Sequence, residues 1–323
     1  MTEVVWLDNG VLRLGLVPAL GGRLLSLSGP EGRDVLWRNA ELLTDDLALR
    51  GEHRPVSGSL GDWVNYGGDK TWPAPQGWDS DEQWAGPPDP VLDSGRYAVE
   101  ESAGAVTLTS GDDPRTGLRL TRRFELPPGR SAYRLTLTAQ NTSDRVVRWA
   151  LWNVTQLDGG GEGGTYVGGP PRVTELLAGT GFPRWEPVGR GPSVYVPHAD
   201  VVGKLGFPAA TGWLAHVGGG ITFTQRFTVD PAAEYPDRGS RAEVWMEHPL
   251  PEPLAELGDL DPPARIVEVE VLGPLTTLAP GASTTLVLDC AVTAASAGAG
   301  PVREVTADGH WTDAGFVTYE EGS

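Results

Sequence analysis

The stretch LRLTRRFEL, residues 118–126, shows most directly how this chain folds. Leu118, Leu120, Arg122 and Phe124 fall on one parity, whereas arginine, threonine and glutamate occupy the positions between them. Such alternation is typical of a β-strand, because successive side chains point to opposite faces of a sheet. The stretch therefore predicts a strand with one face against a core.

Similar stretches recur along the chain, with roughly fifteen strand candidates between residues 3 and 292. The 44 glycines and 28 prolines fit many short strands separated by turns. Only residues 41–49 favour a helix, and we predict one short helix there. Strands joined by short turns pair antiparallel, and so many of them require two large packed sheets. The sequence predicts an all-β fold, a large antiparallel β-supersandwich, with residues 1–323 as a single domain.

The amino-acid composition argues against several classes of binding partner. The formal net charge of −18 argues against nucleic acid and anionic membranes as partners, because both would be repelled. The single cysteine, Cys290, lies in an apolar run, and no cysteine–histidine spacing suits zinc. The glycine-rich residues 158–164 lack the strand–helix context of a phosphate loop, so we predict no cofactor and no metal. The start of the chain shows no secretory signal pattern, which favours a cytoplasmic protein.

Residues 61–78, GDWVNYGGDKTWPAPQGW, carry the clearest functional signal. Three tryptophans stand among four glycines, two prolines and several short polar side chains, with neither strand nor helix periodicity. The pattern predicts a long structured loop, and long loops in compact domains are usually functional. Flat aromatic faces beside amides and charged groups suit a sugar. The alternative is that the tryptophans only attach the loop to the core.

Several segments resemble one known superfamily. The chain is similar to the galactose-mutarotase-like (aldose epimerase-like) superfamily in its opening strands, residues 20–27 (LGGRLLSL) and 32–39 (GRDVLWRN), and its closing segments, residues 265–274 (RIVEVEVLGP) and 278–283 (LAPGAS). Residues 65–76 resemble an uncharacterised bacterial branch of it. The resemblance spans about residues 11–292. It implies a β-supersandwich whose concave face binds sugars.

The resemblance also implies a reaction. In mutarotases a glutamate takes the proton of the anomeric hydroxyl, and a histidine protonates the ring oxygen. Residues 241–249 correspond to the glutamate strand, so Glu243 or Glu247 could match that base. Residues 149–155 correspond to the strand of the histidine and contain none. Lys70 could replace the missing acid, and Asn153 could orient a hydroxyl.

Alternation in residues 242–247 places Glu243, Trp245 and Glu247 on one face. We interpret Glu268 and Glu270 as part of an exposed face without a catalytic role. The predicted catalytic residues are Glu243, Lys70 and Asp69. The predicted sugar-binding residues are Asn65, Trp72, Gln76, Trp78, Asn153, Trp245 and Glu247.

Three functional hypotheses follow, all with a small-molecule carbohydrate as the partner. The first is an enzyme that acts at a sugar's anomeric centre, most simply an aldose epimerase-like isomerase. The second is a non-catalytic carbohydrate-binding or sensing module that retains the cleft without the acid. The third is a glycoside hydrolase or lyase that uses two carboxylates of the cleft.

Overall fold

The computed structural model describes residues 3–29, 32–51, 57–58, 60–77, 80–188, 193–295, 302–305 and 311–313. In these residues the regular secondary structure is almost entirely antiparallel β-strand, as predicted. The strands in chain order are β1 (Val5–Asp8), β2 (Arg13–Val17), β3 (Arg23–Ser28), β4 (Asp69–Ala74), β5 (Ala98–Ser102), β6 (Ala105–Thr109), β7 (Leu118–Glu125), β8 (Ala132–Asn141), β9 (Val147–Asp158), β10 (Gly163–Gly168), β11 (Thr174–Ala178), β12 (Glu186–Pro187), β13 (Ser193–Pro197), β14 (Gly203–Gly206), β15 (Trp213–Gly218), β16 (Ile221–Phe227), β17 (Ala242–Glu247), β18 (Ile266–Leu272), β19 (Thr276–Leu278), β20 (Ser283–Ala294), β21 (Val302–Val305) and β22 (Trp311–Asp313).

Two large sheets form the sandwich. The first sheet has the order β1-β2-β3-β4-β9-β18-β17-β14-β11, and β19 also pairs with β9. The second sheet has the order β12-β13-β10-β15-β16-β20-β8-β7-β6-β5. Strands β21 and β22 pair only with each other. A short helical turn at Pro236–Gly239 precedes β17, and the 3-10 turns Leu60–Asp62 and Ala255–Leu257 lie in loops.

The core lies between the two sheets. Alternate side chains of β7 are buried along its whole length, as residues 118–126 predict. Val244 and Val269 of the first sheet join Leu120, Leu135 and Leu288 of the second in one hydrophobic cluster. Each such side chain contributes about 1.5–3 kcal/mol through its removal from water. Their burial on both inner faces holds the sheets together.

Arg122 is the charged exception on the buried face of β7. Its Nη1 donates to the carbonyl oxygens of Gly22 and Asp69 at 2.7 and 3.0 Å, and its Nη2 donates to the Asp69 carboxylate. Both side chains are fully buried. The guanidinium thus connects β7 of the second sheet to β4 of the first through charge-assisted hydrogen bonds.

Two local predictions were wrong. Residues 41–49 form turns rather than a helix, because Thr44 caps a tight turn to Ala48 and Leu47 has a left-handed φ of 64°. Residues 61–78 are not one continuous loop, because Asp69–Ala74 forms β4. All six residues of β4 are buried, and a strand buried on both faces need not alternate.

Across the described residues, no helix is both long and apolar enough to cross a membrane.

Candidate functional site

Charged and aromatic side chains gather on the face of the first sheet that points away from the core. The antiparallel register pairs Trp72 with Trp152. It also pairs Trp245 with Glu268 on one side and with Lys204 on the other. Directly paired residues share a face. The shared face carries Lys70 and Trp72 from β4, Trp152 and Gln156 from β9, Glu268 and Glu270 from β18, Glu243, Trp245 and Glu247 from β17, and Lys204 from β14.

A cavity of about 740 Å³ covers part of this face. We call it the main cavity, and it is lined by Trp63, Trp72, Trp152, Trp245, Lys204, Glu247, Glu268 and Gln76 together with Gly58, Gly77, Pro87, Leu177, Glu256, Leu257, Gly258 and Leu260. Its size is within the usual range of small-molecule sites, about 300–1,000 Å³. Among the described residues, no three His, Cys, Asp or Glu side chains are arranged to hold a metal ion.

Trp63 and Trp72 are fixed by one buried carboxylate. Trp63 Nε1 donates to Asp93 Oδ2 at 2.9 Å, and Trp72 Nε1 donates to Asp93 Oδ1 at 3.0 Å. Arg23 Nη2 also donates to Asp93 Oδ1, at 2.6 Å. The two rings meet edge to face with centroids 5.8 Å apart. Because both N–H groups are engaged, these indoles offer the cavity their apolar surfaces.

The indole N–H groups of Trp152 and Trp245 are also engaged by carboxyl groups. Trp152 Nε1 donates to Glu270 Oε2 at 2.6 Å, and Trp245 Nε1 donates to Glu247 Oε2 at 3.1 Å. Each of the four cavity tryptophans is therefore held by a carboxyl group. Rings fixed in this way can cover the C–H face of a ligand without loss of rotamer freedom on binding.

Lys70 lies behind the cavity wall. Its side chain is 2% exposed, and Nζ donates to Glu268 Oε1 at 3.1 Å. Nζ also lies 4.8 Å from the ring centroid of Trp72 and 5.5 Å from that of Trp63. Burial lowers the pKa of Lys70, and the attraction of Glu268 opposes that shift. Gln156 Nε2 donates to the same Glu268 oxygen at 2.7 Å, so two donors hold this carboxylate.

Glu247 is a carboxyl group of the main cavity whose pKa is strongly shifted by its surroundings. Burial raises its pKa to about 8, and repulsion from Glu268 adds to the increase. The hydrogen bond from Trp245 and the charge of Lys70 act in the opposite direction. At neutral pH Glu247 therefore retains its proton, next to the lysine-paired Glu268 on the neighbouring strand.

Lys204 is the cation that reaches the cavity. Its Nζ donates to Glu243 Oε2 at 3.0 Å and to Glu270 Oε2 at 2.8 Å, and it lies 4.5 Å from the ring centroid of Trp152. These carboxyls raise the pKa of Lys204 even though burial alone would lower it. An ammonium has three N–H donors, so one remains for a ligand.

Asp69 and Asn153 lie on the opposite face, inside the core. The Asp69 carboxylate accepts hydrogen bonds from Arg122, from Asn153 Nδ2 at 2.7 Å and from Thr155 Oγ1 at 2.6 Å. Neither residue lines the main cavity, so the sugar-site roles expected for them do not fit their positions. The reason is parity: Asp69 and Lys70 are neighbours in β4 and point to opposite faces.

The remaining predicted residues divide into three groups. Trp72, Gln76, Trp245 and Glu247 line the main cavity. Lys70 and Glu243 stand behind it, and Glu243 contacts it only through Lys204. Asn65 instead shapes a turn, since its Oδ1 accepts from the backbone N–H of Gly67 at 3.1 Å. Trp78 lies outside the described residues.

The prediction that Glu268 and Glu270 are exposed was wrong. Glu268 is 8% exposed and Glu270 is 0% exposed, because cavity-forming loops cover this face of β18. Sequence reasoning also missed Trp152 and Lys204 as cavity residues. A signal for the latter exists in the composition: Lys70 and Lys204 are the only two lysines in the chain, which otherwise uses arginine as its cation.

The comparison with protein families gives one match. A family model described as "Domain of unknown function (DUF4380)" matches residues 2–164, half of the chain. The chain belongs to the DUF4380 family. The matched part supplies β1 to β9 of the DUF4380 protein and hence Lys70, Trp72 and Trp152 of the site. Lys204, Glu247 and Glu268 follow it in the chain.

Solved structures share the fold of this DUF4380 protein. A galactose mutarotase-like protein from Lactobacillus casei is 13% identical with a TM-score of 0.57, over 90% of this chain and 100% of that one. A GalM/aldose epimerase homologue from C. elegans is 13% identical with a TM-score of 0.53, over 92% and 100%. A TPR-domain containing protein from Parabacteroides distasonis is 15% identical with a TM-score of 0.59, over 90% and 47%. The galactose-mutarotase-like fold, predicted from the resemblance, is confirmed.

Proposed function

We propose that the DUF4380 protein binds a sugar in the main cavity and interconverts its anomers, as an aldose epimerase-like isomerase. One observation carries this proposal: two carboxyls of unlike environment, Glu247 and Glu268, line the same cavity beside tryptophan rings. Paired titratable groups whose surroundings differ in this way are typical of acid–base sites. The fold shared with mutarotase-like structures makes a sugar the first ligand to test.

The cavity lining suits the two kinds of surface on a pyranose. The indoles of Trp72, Trp152 and Trp245 offer apolar surface to C–H groups, because their N–H donors are engaged elsewhere. Hydroxyl groups would find the free N–H of Lys204 and the oxygens of Glu268. A neutral sugar meets both requirements without the burial of an unpaired charge.

The acid and the base follow from the surroundings of each carboxyl. Glu247 retains a proton at neutral pH and would donate it to the ring oxygen. Glu268, paired with Lys70, would accept the proton of the anomeric hydroxyl. Glu243, the base expected from sequence, instead holds Lys204 in this scheme.

The proposed reaction conserves every atom. As Glu268 removes the proton from the anomeric oxygen and Glu247 protonates the ring oxygen, the bond between the ring oxygen and the anomeric carbon breaks. Rotation of the resulting aldehyde exposes its other face. Ring closure then returns the proton of the ring oxygen to Glu247, and the proton on Glu268 passes to the new anomeric hydroxyl. Each group would contribute about 10²–10⁴-fold.

Glycoside hydrolysis is the second candidate, and one observation favours it. Trp245, not Glu247, lies directly opposite Glu268, so the two carboxyls are diagonal neighbours on adjacent strands. The backbones of such neighbours are about 7–8 Å apart, and side chains on one face would allow their carboxyl groups a comparable separation. Inverting glycosidases place their carboxyls at about 6.5–9.5 Å, with water between them.

An anomer-exchange measurement tests the proposal. Neutral aldoses and reducing disaccharides of one anomeric form would be followed by polarimetry and by NMR exchange spectroscopy, with a parallel assay for glycoside cleavage. We expect interconversion faster than in buffer, reduced at least 100-fold by both Glu247→Gln and Glu268→Gln. Glu252→Gln, at an exposed glutamate of the neighbouring loop that does not line the cavity, is the matched control and should retain activity.

Three other results would contradict the isomerase. Cleavage without interconversion would favour the hydrolase. Binding without either reaction would leave a carbohydrate-binding or sensing module. Full activity in Glu247→Gln would remove the proposed acid.

A further inference from the structure

A second cavity, of about 590 Å³, lies beside the turn Pro236–Gly239. Asp237, Arg238 and Arg241 contribute to its wall. The Asp237 carboxyl also lies within hydrogen-bonding reach of Glu243, which holds Lys204 at the wall of the main cavity. One chain of side chains, Asp237–Glu243–Lys204, therefore connects the two cavities.

The backbone at Asp237 is unusual. Asp237 (φ 49°, ψ 56°) and Arg238 (φ 60°, ψ 31°) are two successive non-glycine residues in the left-handed region. Left-handed geometry is unfavourable for residues with a Cβ, and such strain collects at functional positions. Ser240 maintains the turn, since its Oγ donates to Asp237 O at 2.7 Å and its N–H donates to Pro236 O at 2.9 Å. The turn is therefore held in one conformation at the position of Asp237, which interacts with Glu243.

The carboxyl groups around Lys204 outnumber the donors available to them. Glu243 and Glu270 face each other across β17 and β18, and both are 0% exposed. Each gives one oxygen to Lys204, while Oε1 of each is buried without a donor. Three carboxyls beside one ammonium would leave a net negative charge in the interior if all were ionised. A carboxylic O–H shared among them supplies the missing donor.

We propose that Asp237 is a positioning residue for Lys204. It acts through Glu243: the contact between the two carboxyls fixes the Glu243 side chain, and Glu243 with Glu270 then directs the third N–H of Lys204 into the main cavity. Burial raises the pKa of Asp237, Glu243 and Glu270, in agreement with a proton held among them. Trp152 also belongs to this group of side chains around Lys204, because it donates a hydrogen bond to Glu270. The predicted effect on sugar binding rests on the proposed function, whereas the predicted effect on the position of Lys204 does not.

The strained turn provides a discriminating variant. Glycine suits a left-handed φ, so Asp237→Gly relieves the strain while it removes the carboxyl. If Asp237 has only a structural role, Asp237→Gly should leave the stability unchanged or increased, and the environment of Lys204 should not change. If Asp237 positions Lys204, Asp237→Gly should have the same effect on stability, but the environment of Lys204 should change. Arg238→Gly is the matched control, because it relieves the neighbouring left-handed residue and retains Asp237.

The experiment uses ¹⁵N-lysine and ¹³C-carboxyl-glutamate labels in the full chain. With two lysines in the sequence, the ammonium spectrum contains only the Lys70 and Lys204 signals, assigned with Lys204→Gln. We expect Asp237→Gly and Asp237→Asn to shift the Lys204 and Glu243 signals and leave Lys70 in place. Arg238→Gly should move none of them. Glu234→Gln, in the same second cavity, controls for the loss of a nearby carboxylate.

Sugar binding supplies the second measurement. Any neutral sugar that binds the wild type should bind at least tenfold more weakly to Asp237→Gly, at unchanged or higher melting temperature. If no sugar binds the wild type, the proposed function fails, and the NMR signals still test the position of Lys204. Unchanged Lys204 and Glu243 signals in folded Asp237→Gly would overturn the inference.

Discussion

Lys70 and Glu268 form an ion pair of 3.1 Å that connects two strands on either side of β9. The ammonium is almost fully buried, and the carboxylate shows only a small surface to the main cavity. Two tryptophan rings and the Gln156 amide surround the pair. Each partner compensates the charge of the other, because little water surrounds either of them.

Removal of Lys70 should therefore be costly. We expect Lys70→Met to reduce the free energy of unfolding by about 3–5 kcal/mol, since Glu268 is left as an uncompensated charge. The double variant Lys70→Met with Glu268→Gln should recover much of that loss. Urea unfolding at pH 7 measures both. The surface pair Arg265–Asp200 is the control: Arg265→Met should have a much smaller effect, because water and salt screen exposed charges. Equal losses in the two single variants would contradict the importance of burial.

Asp69 should behave as a structural residue. Asp69→Asn leaves the buried Arg122 guanidinium without its counter-charge and removes an acceptor for Asn153 and Thr155. We expect a loss of about 3–5 kcal/mol in the free energy of unfolding. Sugar affinity of the folded fraction, measured by titration below the unfolding temperature, should stay within about threefold. A catalytic role for Asp69 would instead appear as lost turnover at full stability.

The positions of these residues show what the sequence could establish. In β7 alternation identified the buried face correctly, because water lies on one side only. In β18 the same alternation separated Val269 from Glu268 and Glu270, but it could not show that the glutamate face is also covered. That cover comes from loops outside the strand, residues 256–260 shortly before β18 and Gly58, Gly77 and Pro87 far earlier in the chain, which the alternation within β18 does not reveal.

The errors around Asp69 have a similar cause. Glycines before β4 and a proline within it obscured the strand, so the opposite directions of Asp69 and Lys70 could not be assigned. A residue-type count would have been more informative. Lysine is ordinarily a surface residue, and a chain with only two lysines, both absent from ordinary surface positions, gives each of them functional interest.

Protonation of Glu247 should make stability depend on pH. An unfolded glutamate has a pKa near 4.3, whereas burial raises the pKa of Glu247 to about 8 in the folded protein. Between these values the folded state holds a proton that the unfolded state has released. Its contribution to the free energy of unfolding therefore decreases as pH rises, by up to about 1.4 kcal/mol per pH unit.

The variant Glu247→Gln removes this dependence. We expect its free energy of unfolding, relative to wild type, to increase steadily from pH 5 to pH 8. Urea unfolding at four pH values across that window gives the difference. Glu256→Gln, on the exposed rim, should show no such trend. A difference between Glu247→Gln and wild type that stays constant with pH would mean that Glu247 ionises normally.

The neighbours of Glu247 should move its pKa in opposite directions. Trp245 donates a hydrogen bond to Glu247 Oε2 at 3.1 Å, which favours the carboxylate and lowers the pKa. Trp245→Phe keeps an aromatic ring and removes the donor, so the pKa should increase above about 8. Glu268 acts by repulsion, which raises the pKa. Glu268→Gln should therefore decrease it, and the released charge of Lys70 adds to the decrease because a nearby cation favours the carboxylate. The ¹³C carboxyl shift of Glu247, followed from pH 5 to pH 10, measures both changes. Shifts of the same sign in the two variants would contradict these roles, and an unchanged pKa in both would show that burial alone controls this carboxyl.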